Sequence, residues 1–278
     1  MSVSFSPDGA CLASGSLDRT IRLWSMVDGS SLNTLNGHEN SVLSLSFSPG
    51  GSILASGSQD KSVGIWSTVD GSLVRFLHGH TNTVNSVSFS HDGRCLASGS
   101  SDNTIRVWSI IDGHQLLHLN KHTSIVSSVS FSPDDRTLAS GSWDQTILVW
   151  SMSDGSIVRK LTGHNNLVNS VIFSTDGSRL ASGSADKTVR VWSMVDQSPP
   201  ITMLEHTNLV NEISFSPDGS RLASGSSDRT IKLWSVSDGK FILSLTGHSS
   251  AVTSLCFSRD GSCLASGSQD NTIRFWFF

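Results

Sequence analysis

The stretch ASGSWDQTILVW, Ala139 to Trp150, is one of seven copies of a single pattern in this chain. A Ser-x-Asp turn separates two short runs rich in small, β-branched and aromatic residues, so each copy predicts two neighbouring β-strands. The tryptophan that ends the pattern recurs every 42 residues, at Trp24, Trp66, Trp108, Trp150, Trp192, Trp234 and Trp276. A period of this length indicates one structural unit repeated along the chain.

Two further runs complete each unit. One precedes the Leu-Ala-Ser-Gly-Ser segment, as in Val84 to Ser90, and one follows the tryptophan, as in Ser72 to Gly79. Pro-Asp-Gly, Ser-x-Asp and Asp-Gly segments separate the four runs and have the chemistry of tight turns. Four antiparallel strands every 42 residues predict an all-β fold, a seven-bladed β-propeller of four-stranded blades.

The repeated pattern resembles the WD-repeat family over the whole chain, since the Gly-His pair, the LASGSxDxTIRxW segment and the turns recur together. The aspartate of that family's Trp-Asp pair is serine in six copies and Phe277 in the last. This position follows the core of the unit, so we expect the fold to be unaffected. We expect residues 1–278 to form a single propeller with blades at approximately 1–36, 37–78, 79–120, 121–162, 163–204, 205–246 and 247–278.

The seven units do not fill seven complete periods. The first unit starts inside its first strand, and the last unit stops after its third, so we expect the last blade to lack its outer strand. The segment Thr272 to Phe278 would then be an open edge, available for pairing with another strand. Three explanations stay open: the chain is a segment of a longer protein, it tolerates a three-stranded blade, or a second chain pairs at the edge. We expect the first two, and a monomer.

Serine, histidine and aspartate recur at fixed offsets, which raises the possibility of a hydrolase triad. The resemblance implies instead a buried hydrogen-bond network of structural residues. In the second and fourth units its members are His38, Ser56, Asp60, Trp66, His122, Ser140, Asp144 and Trp150. Six identical buried sets make no catalytic site, because an active site needs one accessible nucleophile. We therefore predict no catalytic residues and no enzyme activity.

The resemblance also implies that peptides bind on the face that carries the Gly-His and Ser-x-Asp loops. The positions implied are three and five residues after the histidine and one residue before the aspartate. Their apolar and amide members in three successive blades, with one amide outside them, are Trp143, Ile125, Leu167, Leu209, Asn85, Asn169 and Asn211. We predict that Trp143 anchors a partner. The alternative is that its ring packs against a loop of the adjacent blade.

Composition excludes several classes of partner. With a net charge of −4 and a pI near 6.2, the chain has no general attraction to nucleic acid or anionic lipid. No signal peptide or long apolar run is present, and the four cysteines form no metal-binding spacing. We expect no cofactor, no metal and a cytoplasmic location. The leading prediction is a non-catalytic protein- or peptide-binding scaffold; the alternatives are a truncated or engineered propeller without a natural partner and, less favoured, an enzyme that uses the channel.

Overall fold

The computed structural model describes residues 2–278, so Met1, the first residue of the expected first blade, lies outside the described residues. The strands of blades 1 and 2 are β1 (Ser2–Phe5), β2 (Cys11–Gly15), β3 (Ile21–Ser25), β4 (Ser31–Leu35), β5 (Val42–Phe47), β6 (Ile53–Ser58), β7 (Val63–Ser67) and β8 (Leu73–Leu77). Those of blades 3 and 4 are β9 (Val84–Phe89), β10 (Cys95–Ser100), β11 (Ile105–Ser109), β12 (Gln115–Leu119), β13 (Val126–Phe131), β14 (Thr137–Ser142), β15 (Ile147–Ser151) and β16 (Ile157–Leu161).

Blades 5, 6 and 7 complete the ring. Their strands are β17 (Val168–Phe173), β18 (Arg179–Ser184), β19 (Val189–Ser193), β20 (Ile201–Met203), β21 (Val210–Phe215), β22 (Arg221–Ser226), β23 (Thr230–Ser235), β24 (Phe241–Thr246), β25 (Val252–Phe257), β26 (Cys263–Ser268) and β27 (Ile273–Phe277). Each blade is an antiparallel sheet of consecutive strands. Within residues 2–278, six sheets have four strands and the seventh has three, β25, β26 and β27. The prediction of a seven-bladed propeller with an incomplete last blade is confirmed.

The core lies between neighbouring blades, because the second strand of each blade is buried on both faces. Between blades 4 and 5 it consists of Ala139, Ile147, Val149, Leu161, Val168, Val171, Phe173, Leu180 and Trp192. The glycine of the Leu-Ala-Ser-Gly-Ser segment allows this close packing. At Gly141, an added Cβ would lie 2.8 Å from Cγ1 of Val168 in the next blade, closer than a methyl group can approach.

The first strand of each blade lies innermost and contacts the first strands of both neighbouring blades. In six of the seven blades described by residues 2–278, a serine near the start of the inner strand accepts a hydrogen bond from a backbone NH of the following blade. Ser44 Oγ is 3.0 Å from Val87 N, and Ser254 Oγ is 3.0 Å from Val3 N. The second of these bonds joins blade 7 to blade 1, so the ring is closed at its inner strands.

Strand alternation places the Gly-His and Ser-x-Asp loops on one face of the disc, here called the upper face. The Ser-x-Asp turn requires a left-handed backbone at its next residue, as at Gln145 with φ of 70°. This conformation costs about 1 to 2 kcal/mol outside glycine. The Asp144 carboxylate offsets the cost by accepting hydrogen bonds from Thr146 N at 3.0 Å and Thr146 Oγ1 at 2.7 Å.

Candidate functional site

The repeated Ser-His-Asp set forms a hydrogen-bonded network beneath the upper face. In blade 4, His122 Nδ1 lies 2.8 Å from Asp144 Oδ2, and His122 Nε2 lies 2.7 Å from Ser140 Oγ. The indole NH of Trp150 donates to Ser140 Oγ at 2.8 Å. Blade 2 has the same arrangement among His38, Ser56, Asp60 and Trp66, with distances of 2.6 to 2.7 Å.

The partners of each group assign the protons of this network. Since the Asp144 carboxylate only accepts, Nδ1 of His122 donates to it; Ser140 Oγ, which accepts from the Trp150 indole, lies within hydrogen-bond distance of both His122 Nε2 and Leu148 O. Burial opposes ionisation of Asp144, but hydrogen bonds from His122 and Thr146 hold its pKa well below its usual range. In blade 2, burial lowers the pKa of His38. In both blades the histidine, the serine, the aspartate and the tryptophan each have a hydrogen-bond partner within the network.

The network is closed to substrates. Ser140 and the five serines at equivalent positions have no exposed surface: Ser56, Ser98, Ser182, Ser224 and Ser266. A nucleophile must reach the reacting carbon, and none of these hydroxyls can. In residues 2–278, no three His, Cys, Asp or Glu side chains are placed to hold a metal ion. The same residues include no helix with the length and apolarity needed to cross a bilayer.

The apolar residues expected to bind a partner belong to three successive blades on the upper face. Trp143 keeps 41% of its surface exposed and Leu209 keeps 38%, whereas Ile125 and Leu167 are half-buried. Backbone hydrogen bonds pair the Gly-His loop with the Ser-x-Asp turn of the same blade. Trp143 N donates to Ile125 O at 2.9 Å, and Ala185 N donates to Leu167 O at 2.8 Å. Trp143 and Ile125 are therefore adjacent in blade 4.

The three asparagines join neighbouring blades. Asn85 Nδ2 donates to Val126 O of the next blade at 2.9 Å, and Asn169 and Asn211 donate to Val210 O and Val252 O at 2.8 Å. One NH group of each amide is therefore engaged in a hydrogen bond between two blades at the channel rim. The asparagines support the loops beside the apolar residues and are not free to contact a ligand through these donors.

Two exposed leucines on the upper face were missed as binding candidates from the sequence. Leu204, at the end of the short strand β20, is 70% exposed, and Leu17, in the Ser-x-Asp turn of blade 1, is 65% exposed. The sequence feature that could have identified Leu204 is the replacement of Gly-His by Glu205-His206, which was interpreted as a turn variant. Leu204 and Leu209 lie on either side of His206 and extend the apolar residues to the edge of blade 6.

Among residues 2–278, one acidic residue lines the central channel, and it was also missed from the sequence. Glu212 occupies the position that is serine in the other six units, at Ser2, Ser44, Ser86, Ser128, Ser170 and Ser254. Its Oε1 accepts a hydrogen bond from Ser170 Oγ at 2.6 Å. Burial raises the pKa of Glu212 to about 7. An alignment of the seven units would have identified Glu212, because it is the one residue at this position that is not serine.

The recurrence of this network in six blades decides the family. A family model described as WD domain, G-beta repeat matches residues 1–25, 29–67, 71–109, 113–151, 155–193, 198–235 and 239–276. This chain belongs to the WD-repeat family. WD-repeat propellers are typically non-catalytic scaffolds that bind proteins or peptides.

Three curated relatives share part of this WD-repeat chain. Each is named Dynein assembly factor with WD repeat domains 1, and they come from Macaca fascicularis, Homo sapiens and Danio rerio. The first two are 48% identical and the third 45% identical over 40 residues. The match covers 14% of this chain and 10% of each relative. Since 40 residues is about one WD repeat, the similarity is that of a single blade.

Proposed function

We propose that this chain is a non-catalytic scaffold that binds a protein or peptide on its upper face. The observation that carries the proposal is the group formed by Trp143, Ile125, Leu167 and Leu209, here called the apolar arc. An exposed aromatic ring beside smaller apolar side chains, on a rigid frame, is the composition of a binding hot spot. Leu204 adds exposed apolar surface at one end of the arc.

The backbone supports this use of the face. The arc lies on loops that are held by the buried network, by backbone hydrogen bonds between paired loops and by the asparagine bridges. A preorganised surface loses little conformational entropy when a partner binds. A reducing, cytoplasmic location belongs to the same proposal, since all four cysteines are free.

The test uses peptides selected from a random displayed library against the immobilised chain. We expect Trp143→Ala to weaken selected peptides by roughly 30-fold, because truncating a hot-spot tryptophan typically costs about 2 kcal/mol or more. The matched control is Ile111→Ala, since Ile111 is 80% exposed on the opposite face. We expect neither variant to change the melting temperature by more than about one degree, since surface substitutions are usually within about 0.5 kcal/mol.

Three results would count against the proposal. Equal peptide affinity in wild type and Trp143→Ala would remove the arc as the site. A melting temperature lower by several degrees in Trp143→Ala would show that the ring packs on its neighbours. Failure to select any peptide would favour the alternative of a propeller without a natural partner.

A further inference from the structure

Two of the three rim asparagines have their side-chain amide closed by a serine of the same blade. In blade 3, Ser101 Oγ lies 2.9 Å from Asn85 Nδ2 and 3.3 Å from Asn85 Oδ1. In blade 6, Ser227 Oγ lies 3.0 Å from Asn211 Nδ2 and 3.3 Å from Asn211 Oδ1. A hydroxyl within reach of both atoms lies at the edge of the amide that presents the oxygen and one NH group side by side. That edge therefore has a partner within the protein in blades 3 and 6.

Blade 5 lacks this serine, because the equivalent position is Ala185. Asn169 keeps the hydrogen bond from Nδ2 to Val210 O at 2.8 Å, which joins blades 5 and 6. Among residues 2–278, no group bonds to Asn169 Oδ1 or to its second NH. Oδ1 remains accessible to solvent, and Asn169 lines the channel. We call Oδ1 and this NH group the free edge of Asn169.

The free edge lies next to the apolar arc. Ser127 Oγ of blade 4 donates to Val168 O of blade 5 at 2.5 Å, so the two inner strands are joined one residue before the free edge. Leu167 directly precedes Val168, and Ile125 lies two residues before Ser127. Trp143 N donates to Ile125 O at 2.9 Å. A partner that covers the arc therefore also covers the free edge and must supply it with a donor and an acceptor, because an unpaired polar group that loses its water is costly.

The chemistry of the free edge favours one conformation of the bound segment. An oxygen acceptor and an NH donor side by side are complementary to a group that offers a donor and an acceptor in the same arrangement. In an extended peptide, the backbone NH and C=O of one residue point to the same side and can form such a pair. In an α-helix, the same groups are bonded along the helix axis to other turns. The free edge therefore selects an extended segment over a helical one.

We propose that the partner binds the upper face as an extended segment, with the backbone NH and C=O of one of its residues paired to the free edge of Asn169. Apolar side chains near that residue would contact Trp143 and Leu167. This inference rests on the proposed function, because it assigns the kind of segment that the apolar arc binds. Backbone pairing of this type adds affinity without dependence on the partner's side chains, which the arc reads separately.

The substitution Ala185→Ser tests this inference without removing any contact of the propeller. Ala185 N donates to Leu167 O at 2.8 Å, and Ser101 N makes the equivalent bond to Thr83 O at 2.8 Å. Since the backbone is held in the same way, the added hydroxyl should close the free edge as Ser101 does in blade 3. The bond between blades 5 and 6 stays in place. Asn169→Ala is less informative, because it would also remove that bond.

The probe is the tightest-binding peptide from the library selection, labelled with fluorescein and measured by anisotropy. We expect Ala185→Ser to weaken its binding about fivefold to tenfold, because the peptide loses two neutral hydrogen bonds. Ser101→Ala is the matched control, since it opens the amide of blade 3, outside the arc, and should leave the affinity unchanged. Copies of the peptide are then N-methylated at one backbone amide each. At one position, we expect a loss of at least about fivefold on wild type and a much smaller loss on Ala185→Ser, because both changes remove the same contact.

Two results would overturn this inference alone. The first is equal affinity for wild type and Ala185→Ser while Trp143→Ala still weakens binding, since the arc would then bind the peptide without the free edge. The second is the absence of any backbone position whose N-methylation is coupled to residue 185, because a helical peptide, or an Asn or Gln side chain of the peptide, would then occupy the edge. If neither Ala185→Ser nor Trp143→Ala changes the affinity, the proposed function fails as well.

Discussion

Glu212 makes the stability of the propeller depend on pH in a direction opposite to that of its aspartates. Its pKa is 4.5 in the unfolded chain and about 7 in the folded one, because burial disfavours the charge. Between pH 4.5 and 7 the unfolded state releases a proton that the folded state retains, so the free energy of unfolding falls as pH rises. This contribution is complete below pH 4.5 and lost above pH 7. We expect Glu212→Gln to remove that fall.

The magnitude follows from the size of the pKa shift. One pKa unit corresponds to about 1.4 kcal/mol, so a rise from 4.5 to about 7 gives an upper limit of about 3 kcal/mol. Glu212 lines the channel and is only partly buried, and solvent screening reduces the effect to about 1 to 2 kcal/mol. Glu212→Gln should therefore be more stable than wild type by about that amount at pH 8 and equal to it at pH 4. The glutamine can still accept the hydrogen bond from Ser170.

Urea denaturation followed by tryptophan fluorescence at pH 4, 5.5, 7 and 8 measures the difference between the two proteins. Contributions of other carboxylates are common to both and cancel in the comparison. Glu205→Gln is the control for loss of one negative charge, since Glu205 is exposed beside the same blade. A difference that does not change with pH, or a variant less stable at pH 8, would refute the argument that Glu212 is held in an unfavourable charged state.

Two further predictions concern the buried groups. His122→Ala leaves Ser140 and Asp144 without their partner, so we expect it to lower the free energy of unfolding by about 2 to 4 kcal/mol, as measured by urea denaturation. The exposed His114→Ala should change it by less than about 0.5 kcal/mol, and equal effects would contradict a structural role for the network. Burial raises the pKa of Cys256 to about 11, so this thiol should react with iodoacetamide at pH 8 at least about tenfold more slowly in the folded chain than in urea. Mass spectrometry of the alkylated protein measures the two rates. Equal rates would show that the thiol is accessible in the folded chain.

The sequence was sufficient for the architecture because each blade repeats the same local rules. Alternating apolar residues, turn residues and a fixed 42-residue period specify the strands, and the close approach at Gly141 follows from the same pattern. Contacts between blades were harder to predict. The amide of Asn169 bonds to Val210 O, 41 residues away, and only the geometry of the ring brings these groups together.

Exposure was the other property that the sequence left open. Leu204 is exposed because β20 has only three residues and because the loop after it differs from Gly-His. Both features depend on the path of the chain after Pro200. Glu212 could have been found by aligning the seven units and comparing the residues at its position, but its raised pKa comes from its surroundings in the channel. Sequence patterns gave the positions of these residues, whereas their surroundings required the structure.

Contacts between the inner strands of blades 7 and 1 explain how the ring holds together with a three-stranded blade. Blade 7 and blade 1 are joined at their inner strands by the bond from Val3 N to Ser254 Oγ and by a small core that includes Val3, Phe5 and Leu12. Arg259 Nη1 adds a hydrogen bond to a backbone carbonyl of blade 1, Pro7 O, at 3.1 Å. Closure therefore does not depend on an outer strand.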